Sequence, residues 1–544
     1  MISAADLVIV PVVLPLMSGA GMLLLSGGDR HRKLVAAFNL AATFALVCVA
    51  TALLRMSDAG PADVSEVYRL GNWPAPFGIV LVLDRLSALM LLLTSILALM
   101  TVLFSLARWH RAGTHFHPLV QFLLMGLNGA FLTGDLFNLF VFFELLLAAS
   151  YGLVLHGSGL ARVKAGLHYI VVNLVASLLF LIGVSLVYSV TGTLNMADLA
   201  ARIPTIAAEN RGLLEAGAGI LGIAFLLKAG MWPLSFWLPT TYEAASPPVA
   251  AIFAIMTKVG GYIVLRLSLL LFGEGAGVSA GFAADVLLFG GLATALFGAI
   301  GTLASQSMGR LAGFSVLVSS GTVLAAIGMG QVGVTGGALF YLVSSTFGIS
   351  AFFLLIELVE RDREPGADML AVTREAYGAD DEADEEEVAG LVIPATMGLL
   401  GLAFIACTLV IAGLPPLSGF IAKFALLAAA LQLPGSLQAG AISPASWAFI
   451  AVLILSGFAT LIAMTRAGIH VFWASPDRAT PRVHVIEIAP IVFLLIICAA
   501  QTVQAGPVMR FMRATAQSLH APDDYIRDVL HPHNGQAMHE AGGI

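Results

Sequence analysis

The stretch Lys228-Ala-Gly-Met-Trp-Pro-Leu-Ser (KAGMWPLS) lies inside a long apolar run, and Ala412 to Ser418 repeat its core as AGLPPLS. The shared pattern is A-G-x-x-P-L-S, with Lys228 just before the first copy and Lys423 just after the second. A proline inside a helix removes a backbone donor and clashes with the turn before it, and a glycine lets the chain unwind. Gly230 with Pro233, and Gly413 with Pro416, are therefore predicted to break two otherwise apolar helices. A broken helix bares backbone polar groups, which lipid tolerates only where the break faces protein or a watery cavity.

Everything around the two copies reads as membrane. Of 544 residues, 59% are hydrophobic, 11% are charged and 56 are glycine, a composition that excludes an ordinary soluble multidomain protein. Windows long enough to cross about 30 Å of hydrocarbon as helices recur almost without pause. They are predicted near 5–26, 33–54, 78–106, 118–134, 136–156, 166–190, 213–238, 247–272, 281–304, 311–329, 335–359, 390–432, 446–472 and 484–504. The chain is thus an all-α polytopic membrane protein with about 14 transmembrane helices. The twelfth window is too long for one straight span, and the interruption TGDLFN at Thr133 to Asn138 separates the fourth from the fifth. No basic segment precedes the first window, which is expected to be a retained helix and not a cleaved signal.

The two motif copies fall in helices 7 and 12, five spans apart, so they cross the membrane in opposite directions. This is the pattern of two inverted repeats with broken helices 7 and 12, and discontinuous helices of that kind mark transport sites. The expected organisation is helices 1–3 over 1–106, a first five-helix repeat over 118–272 and a second over 281–472 with an acidic loop at 361–388. Helix 14 at 484–504 and a polar tail at 505–544 follow. If the basic connection GGDRHRK after the first helix is cytoplasmic, the odd-numbered loops hold fourteen Lys/Arg and the even-numbered loops four, which puts both termini outside.

Other chemistries find no support. Cys48, Cys407 and Cys498 sit in predicted spans at unrelated spacings, as buried small apolar residues do, and imply neither disulfide nor metal. The histidines of HPHNGQAMHE read as a disordered polar end more than a metal-binding tail, and the seven acids between Asp380 and Glu387 as a solvated loop. There is no phosphate-cradling glycine loop, nucleophile elbow, paired catalytic carboxylate or CxxC pair. No cofactor, no metal and no nucleic acid is expected, and the chain reads as no enzyme.

The informative residues are the charges inside the spans. Three of only five lysines, Lys228, Lys258 and Lys423, lie in apolar windows together with Glu144. A charge at mid-bilayer costs roughly 2.5–3.5 kcal/mol even on mild insertion scales. At about 1.5 Å per residue, Glu144 lies about 12 Å into helix 5, Lys228 about 22 Å into helix 7 and Lys258 about 16 Å into helix 8. Lys423 lies about 15 Å before the end of helix 12. All four are too deep to snorkel comfortably, so they serve either transport or a purely structural buried ion pair.

The segments FELLLAASYGLVLHG, FLLKAGMWPLSFWLPTTYEAASPPVAAIFAIMTKVGGYIVLR and AGLPPLSGFIAKF resemble the proton-translocating antiporter family shared by the large membrane subunits of respiratory complex I and the Mrp-type cation/proton antiporters. The likeness covers helices 3 to 13. Chain length, TGTLNMADLAARI after helix 6 and the charged connection VERDREPGADMLAVTREA are most similar to the D-type branch of the Mrp group, also called Pha. The resemblance implies a proton-translocating subunit of a multisubunit Na+ or K+/proton antiporter in the bacterial inner membrane, working with A, B, C, E, F and G-type subunits. It also implies that Glu144 and Lys228 pair across helices 5 and 7, and that Lys258 relays protons to Lys423 through a hydrated path. Desolvation disfavours the charged form of such groups and an opposite charge restores it, so the set titrates together. Relatives often carry a histidine on helix 11, where this chain offers Ser344 and Ser345, and one complex I subunit carries glutamate at the position of Lys423. An antiporter-like subunit of complex I and a structural scaffold are the alternatives.

Overall fold

A computed structural model describes residues 4–25, 29–59, 65–73, 77–113, 115–361, 395–431, 443–472 and 483–531. Within these, the membrane part begins with α1 (Ala4–Leu24), α2 (Asp29–Ala59) and α3 (Arg85–Ser105). The region expected to form the first repeat contains α4 (Phe116–Leu132), α5 (Leu136–Val154), α6 (Leu160–Thr191), the short α7 (Met196–Arg202), α8 (Ala208–Ala229), the short α9 (Leu238–Ala244) and α10 (Pro247–Phe272). The region expected to form the second contains α11 (Ala284–Ala304), α12 (Met308–Gly328), α13 (Val332–Glu360), α14 (Ala395–Ala412), α15 (Ser418–Leu431) and α16 (Pro444–Phe472). After α17 (Val485–Val503) come α18 (Ala505–His520) and α19 (Asp523–Leu530). Among the described residues thirteen helices are long and apolar enough to span a bilayer, and the 17-residue α4 supplies the fourteenth expected span.

Two interruptions show how single residues set boundaries. The window predicted at 78–106 starts as strand: β2 (Val80–Leu83) pairs antiparallel with β1 (Glu66–Arg69), Glu66 opposite Leu83. Asp84 then starts α3 by a capping box, its carboxylate accepting from Ser87 N at 2.8 Å while its own N–H donates to Ser87 Oγ at 2.9 Å. Between α4 and α5, Thr133 turns extended and bridges Leu81, and Asp135 caps α5 by accepting from Asn138 N at 2.9 Å.

The most buried of these helices is α13, buried at every position from 334 to 356. It packs against α10 and α12 on one side and α14, α15, α17 and α18 on the others. A helix apolar all round has no solvent face to present and belongs inside. α13 thus lies between α10, which carries Lys258, and α15, which carries Lys423.

The stretch after 504, expected to be a polar tail, is helical through Leu530. α18 is amphipathic, burying Met512, Ala516 and Leu519 at helical spacing against α13. α19 is tied down by Asp528, which accepts from Ser65 N at 2.9 Å, and by Val529 O, which accepts from Arg69 at 2.8 Å. The Tyr525 ring lies 5.4 Å from the Arg266 guanidinium, which is ion-paired to Asp84. The acidic loop and the histidines from 532 onward lie outside the described residues. Cys407 and Cys498 are buried and Cys48 is exposed, all three as free thiols.

His520, at the end of α18, bonds Thr335 Oγ1 at 3.0 Å, and burial pushes its imidazole below the usual histidine range against a smaller opposing pull from Glu274. A histidine with a lowered folded pKa binds fewer protons folded than unfolded, so docking of α18 is strongest above the free histidine pKa of about 6.5 and weakens as pH falls through that value. Hydrogen-exchange protection of 505–530, taken relative to the intrinsic exchange rate at each pH, is expected to be lower at acidic than at neutral pH in the native chain, and His520→Gln is expected to remove that difference.

Candidate functional site

The repeated motif makes the same break twice. α8 ends at Ala229 and α14 at Ala412, and the next residues, Gly230 and Gly413, have φ of +72° and +79°. Met231 N–H donates to Leu226 O and Leu414 N–H to Leu409 O, both at 2.9 Å, the six-to-one closure that favours a left-handed glycine before it. The bonds Trp232–Pro233 and Pro415–Pro416 are both cis. Each helix end frees backbone carbonyls, and the freed alanine carbonyl finds a side-chain donor in each repeat. Ala229 O accepts from Ser320 Oγ of α12, and Ala412 O accepts from Lys423 Nζ at 2.8 Å.

Glycine at 413 serves twice. A Cβ there would lie 2.4 Å from Lys423 Cδ, so the lysine stem runs through the space a side chain would fill. Gly413→Ala is expected to cost on the order of 1–2 kcal/mol through the left-handed backbone alone and to push Lys423 off Ala412 O. Thermal melting and proton flux of the assembled protein check this, and both should fall.

The three lysines are buried in different settings. Lys258, 2% exposed, donates to Ser319 Oγ of α12 at 2.5 Å, and Ser319 Oγ bonds Ser345 Oγ of α13 at 2.8 Å. On the adjacent residue of α13, Ser344 Oγ bonds Ser418 Oγ, the first residue of α15, at 2.7 Å. Successive helical residues point about 100° apart, so this serine pair meets Ser319 beside Lys258 and the start of α15, the helix of Lys423, at once. Lys423 sits in the second turn of α15, with Gly457 of α16 leaving room for its Nζ: a Cβ there would be 3.0 Å away.

Lys228 differs. Its Nζ lies 4.9 Å from the centre of the Phe143 ring and has no hydrogen-bond partner among the described residues. The cavity beside it is walled by Tyr169, Trp237, Tyr242 and Phe253. Glu144, on the residue next to Phe143, is half-buried and accepts from Ser177 Oγ of α6. Glu144 and Lys228 are thus neighbours without a direct bond, although Glu144 stays within electrostatic reach.

A family model described as NADH:quinone oxidoreductase/Mrp antiporter, transmembrane, matches residues 133–446, more than half of the chain and both breaks. The chain belongs to the NADH:quinone oxidoreductase/Mrp antiporter family. Two relatives in that family match nearly end to end. One is the probable D subunit of the K(+)/H(+) antiporter of Rhizobium meliloti (strain 1021), 61% identical over 96% of this chain and 97% of that protein. The other is the D subunit of the Na(+)/H(+) antiporter of Alkalihalophilus pseudofirmus, 32% identical over 96% of this chain and 99% of that protein. Among solved structures, a chain of the Mrp complex from Dietzia sp. DQ12-45-1b superposes with a TM-score of 0.82 at 26% identity, covering 97% of this chain and 99% of that one.

Within this family frame, the sequence pattern singles out the lysines, Glu144 and the breaks but misses their partners Ser319, Ser320 and Ser177. A signal is present all the same. The tetrapeptide LVSS occurs at 317–320 and again at 342–345, two polar pairs inside apolar spans, and both pairs take part in the buried network.

Proposed function

We propose that the chain is the proton-translocating subunit of a multisubunit monovalent cation/proton antiporter, a secondary active transporter subunit that acts with other Mrp-type subunits. The observation that carries the reading is that Lys258 reaches the buried serine pair of α13 through Ser319, and that the pair reaches α15, the helix that carries Lys423, through Ser418. In the relay, a proton passes from the Glu144 and Lys228 region to Lys258, then by way of Ser319, Ser345, Ser344 and Ser418 to Lys423. Hydroxyls both donate and accept, so a rotating pair hands a proton on without bearing a lasting charge. The lysine and arginine bias of the loops supports an orientation with both termini outside. The exchanged cation is K+ or Na+, the two named among the relatives.

The test is proton movement in vesicles carrying the whole complex after a pulse of K+ or Na+. Cation-dependent movement is expected. Movement driven only by NADH and a quinone would assign the chain to the complex I branch. Variants at all three lysines that lose assembly together with flux would assign the charges to a scaffold role.

A further inference from the structure

Along α8, Arg211, Leu214, Ala218, Gly222 and Phe225 recur at three- and four-residue spacing and share one face. That face borders an open apolar groove between α8, α10 and α11, about 740 Å³ with its mouth included, walled by Leu214, Leu221, Phe225, Leu267, Phe282 and Val286. Its hydroxyl, Ser268, is turned to its own helix and bonds Leu265 O at 3.2 Å. A Cβ built at Gly222 meets no atom within 4 Å, so the groove is open at its middle. From Leu214 to Leu226 it runs twelve residues, about 18 Å at 1.5 Å per residue, close to one leaflet of a hydrocarbon core about 30 Å thick.

One turn before Leu214, the first groove residue of α8, a cation stands on the same face of the helix. Arg211 is half-buried in the first turn of α8; one of its amino groups donates to Ile206 O at 3.3 Å, its Nε is buried without a partner, and its other amino group makes no hydrogen bond among the described residues. The nearby acid Glu215 is engaged by Ser279 Oγ at 2.9 Å. We infer that this groove is a phospholipid site: the phosphate binds Arg211 and one acyl chain lies along α8 between the two repeats. A guanidinium with an unbonded amino group, one turn beyond an apolar channel one leaflet long, is complementary to that headgroup and tail together. The wall residue Phe225 lies 5.9 Å, ring centre to ring centre, from Phe143, over which Lys228 sits. An occupied groove therefore braces the ring beneath Lys228. The site stands whether or not the proposed relay does.

The whole complex, reconstituted in phosphatidylethanolamine and phosphatidylglycerol vesicles doped with a phosphatidylglycerol bearing a diazirine at the chain end, is irradiated and the labelled peptides are mapped. Strong labelling of 214–226 is expected, lost in Gly222→Phe, whose ring fills the groove, and at least halved in Arg211→Gln. Ala218→Phe replaces Gly222→Phe if the latter does not assemble. Label on 214–226 no stronger than on the lipid-facing α6, and unchanged in the variants, would overturn the inference. So would absence of lipid label with a neighbouring subunit cross-linked into the groove.

Discussion

Lys423→Arg is expected to assemble at wild-type yield and to lose cation-driven proton flux by tenfold or more, on the order of 1.4 kcal/mol or more in the limiting barrier. Arginine keeps its proton in nearly any site, so it can hold the bond to Ala412 O but cannot release what it receives. The space around the lysine tip also belongs to lysine, framed by Gly413 and Gly457. Lys423→Ala should be inactive as well. Lys423→Glu should keep partial flux with a changed pH dependence, since it restores a group that can take up and release a proton. Flux after a cation pulse, normalised to recovered complex, separates these cases. An arginine variant as fast as wild type would make Lys423 a fixed positive charge.

Lys228→Ala is expected to abolish flux while the complex still assembles. The reason lies in what Nζ does not bond. Truncating a bonded buried group strands its partner at a cost of about 1–3 kcal/mol, but Lys228 Nζ has no hydrogen-bond partner among the described residues, so none is stranded. The loss should be one of function with little loss of fold. Lys258→Ala, by contrast, would leave Ser319 without its donor. Glu144→Ala should inactivate too, and Glu144→Asp should retain some flux because the charge survives on a shorter arm. Normal flux from a well-assembled Lys228→Ala complex would remove this lysine from the path.

Much of this is legible in the sequence because the bilayer simplifies the code. The eighth window, 247–272, coincides with α10, since Pro247 is pre-set for a first helical turn and Gly273 ends the apolar run. The breaks at Gly230 and Gly413 are legible because glycine and proline act on the backbone directly. Val80 to Leu83 are not: four apolar residues ahead of a helix look like its first turn until Asp84 is recognised as a cap. α18 is hidden by its composition, since Arg510 and Arg513 mask an apolar face that only the helical period reveals. The partners of the lysines are hidden for another reason. Ser319 and Ser345 are 26 residues apart and meet only because α12 and α13 pack side by side.

The serine pair is also where this chain departs from relatives that carry a histidine on the same helix, and it offers the most direct test of the relay. In vesicles carrying the whole complex, proton flux after a K+ or Na+ pulse is measured for Ser344→Ala, Ser345→Ala and the double variant. Each single variant is predicted to slow flux, and the double variant to lower it by roughly tenfold or more, as expected when hydrogen-bonded links worth about 1–3 kcal/mol are removed. A double variant that assembles normally and conducts like wild type would contradict a path through α13.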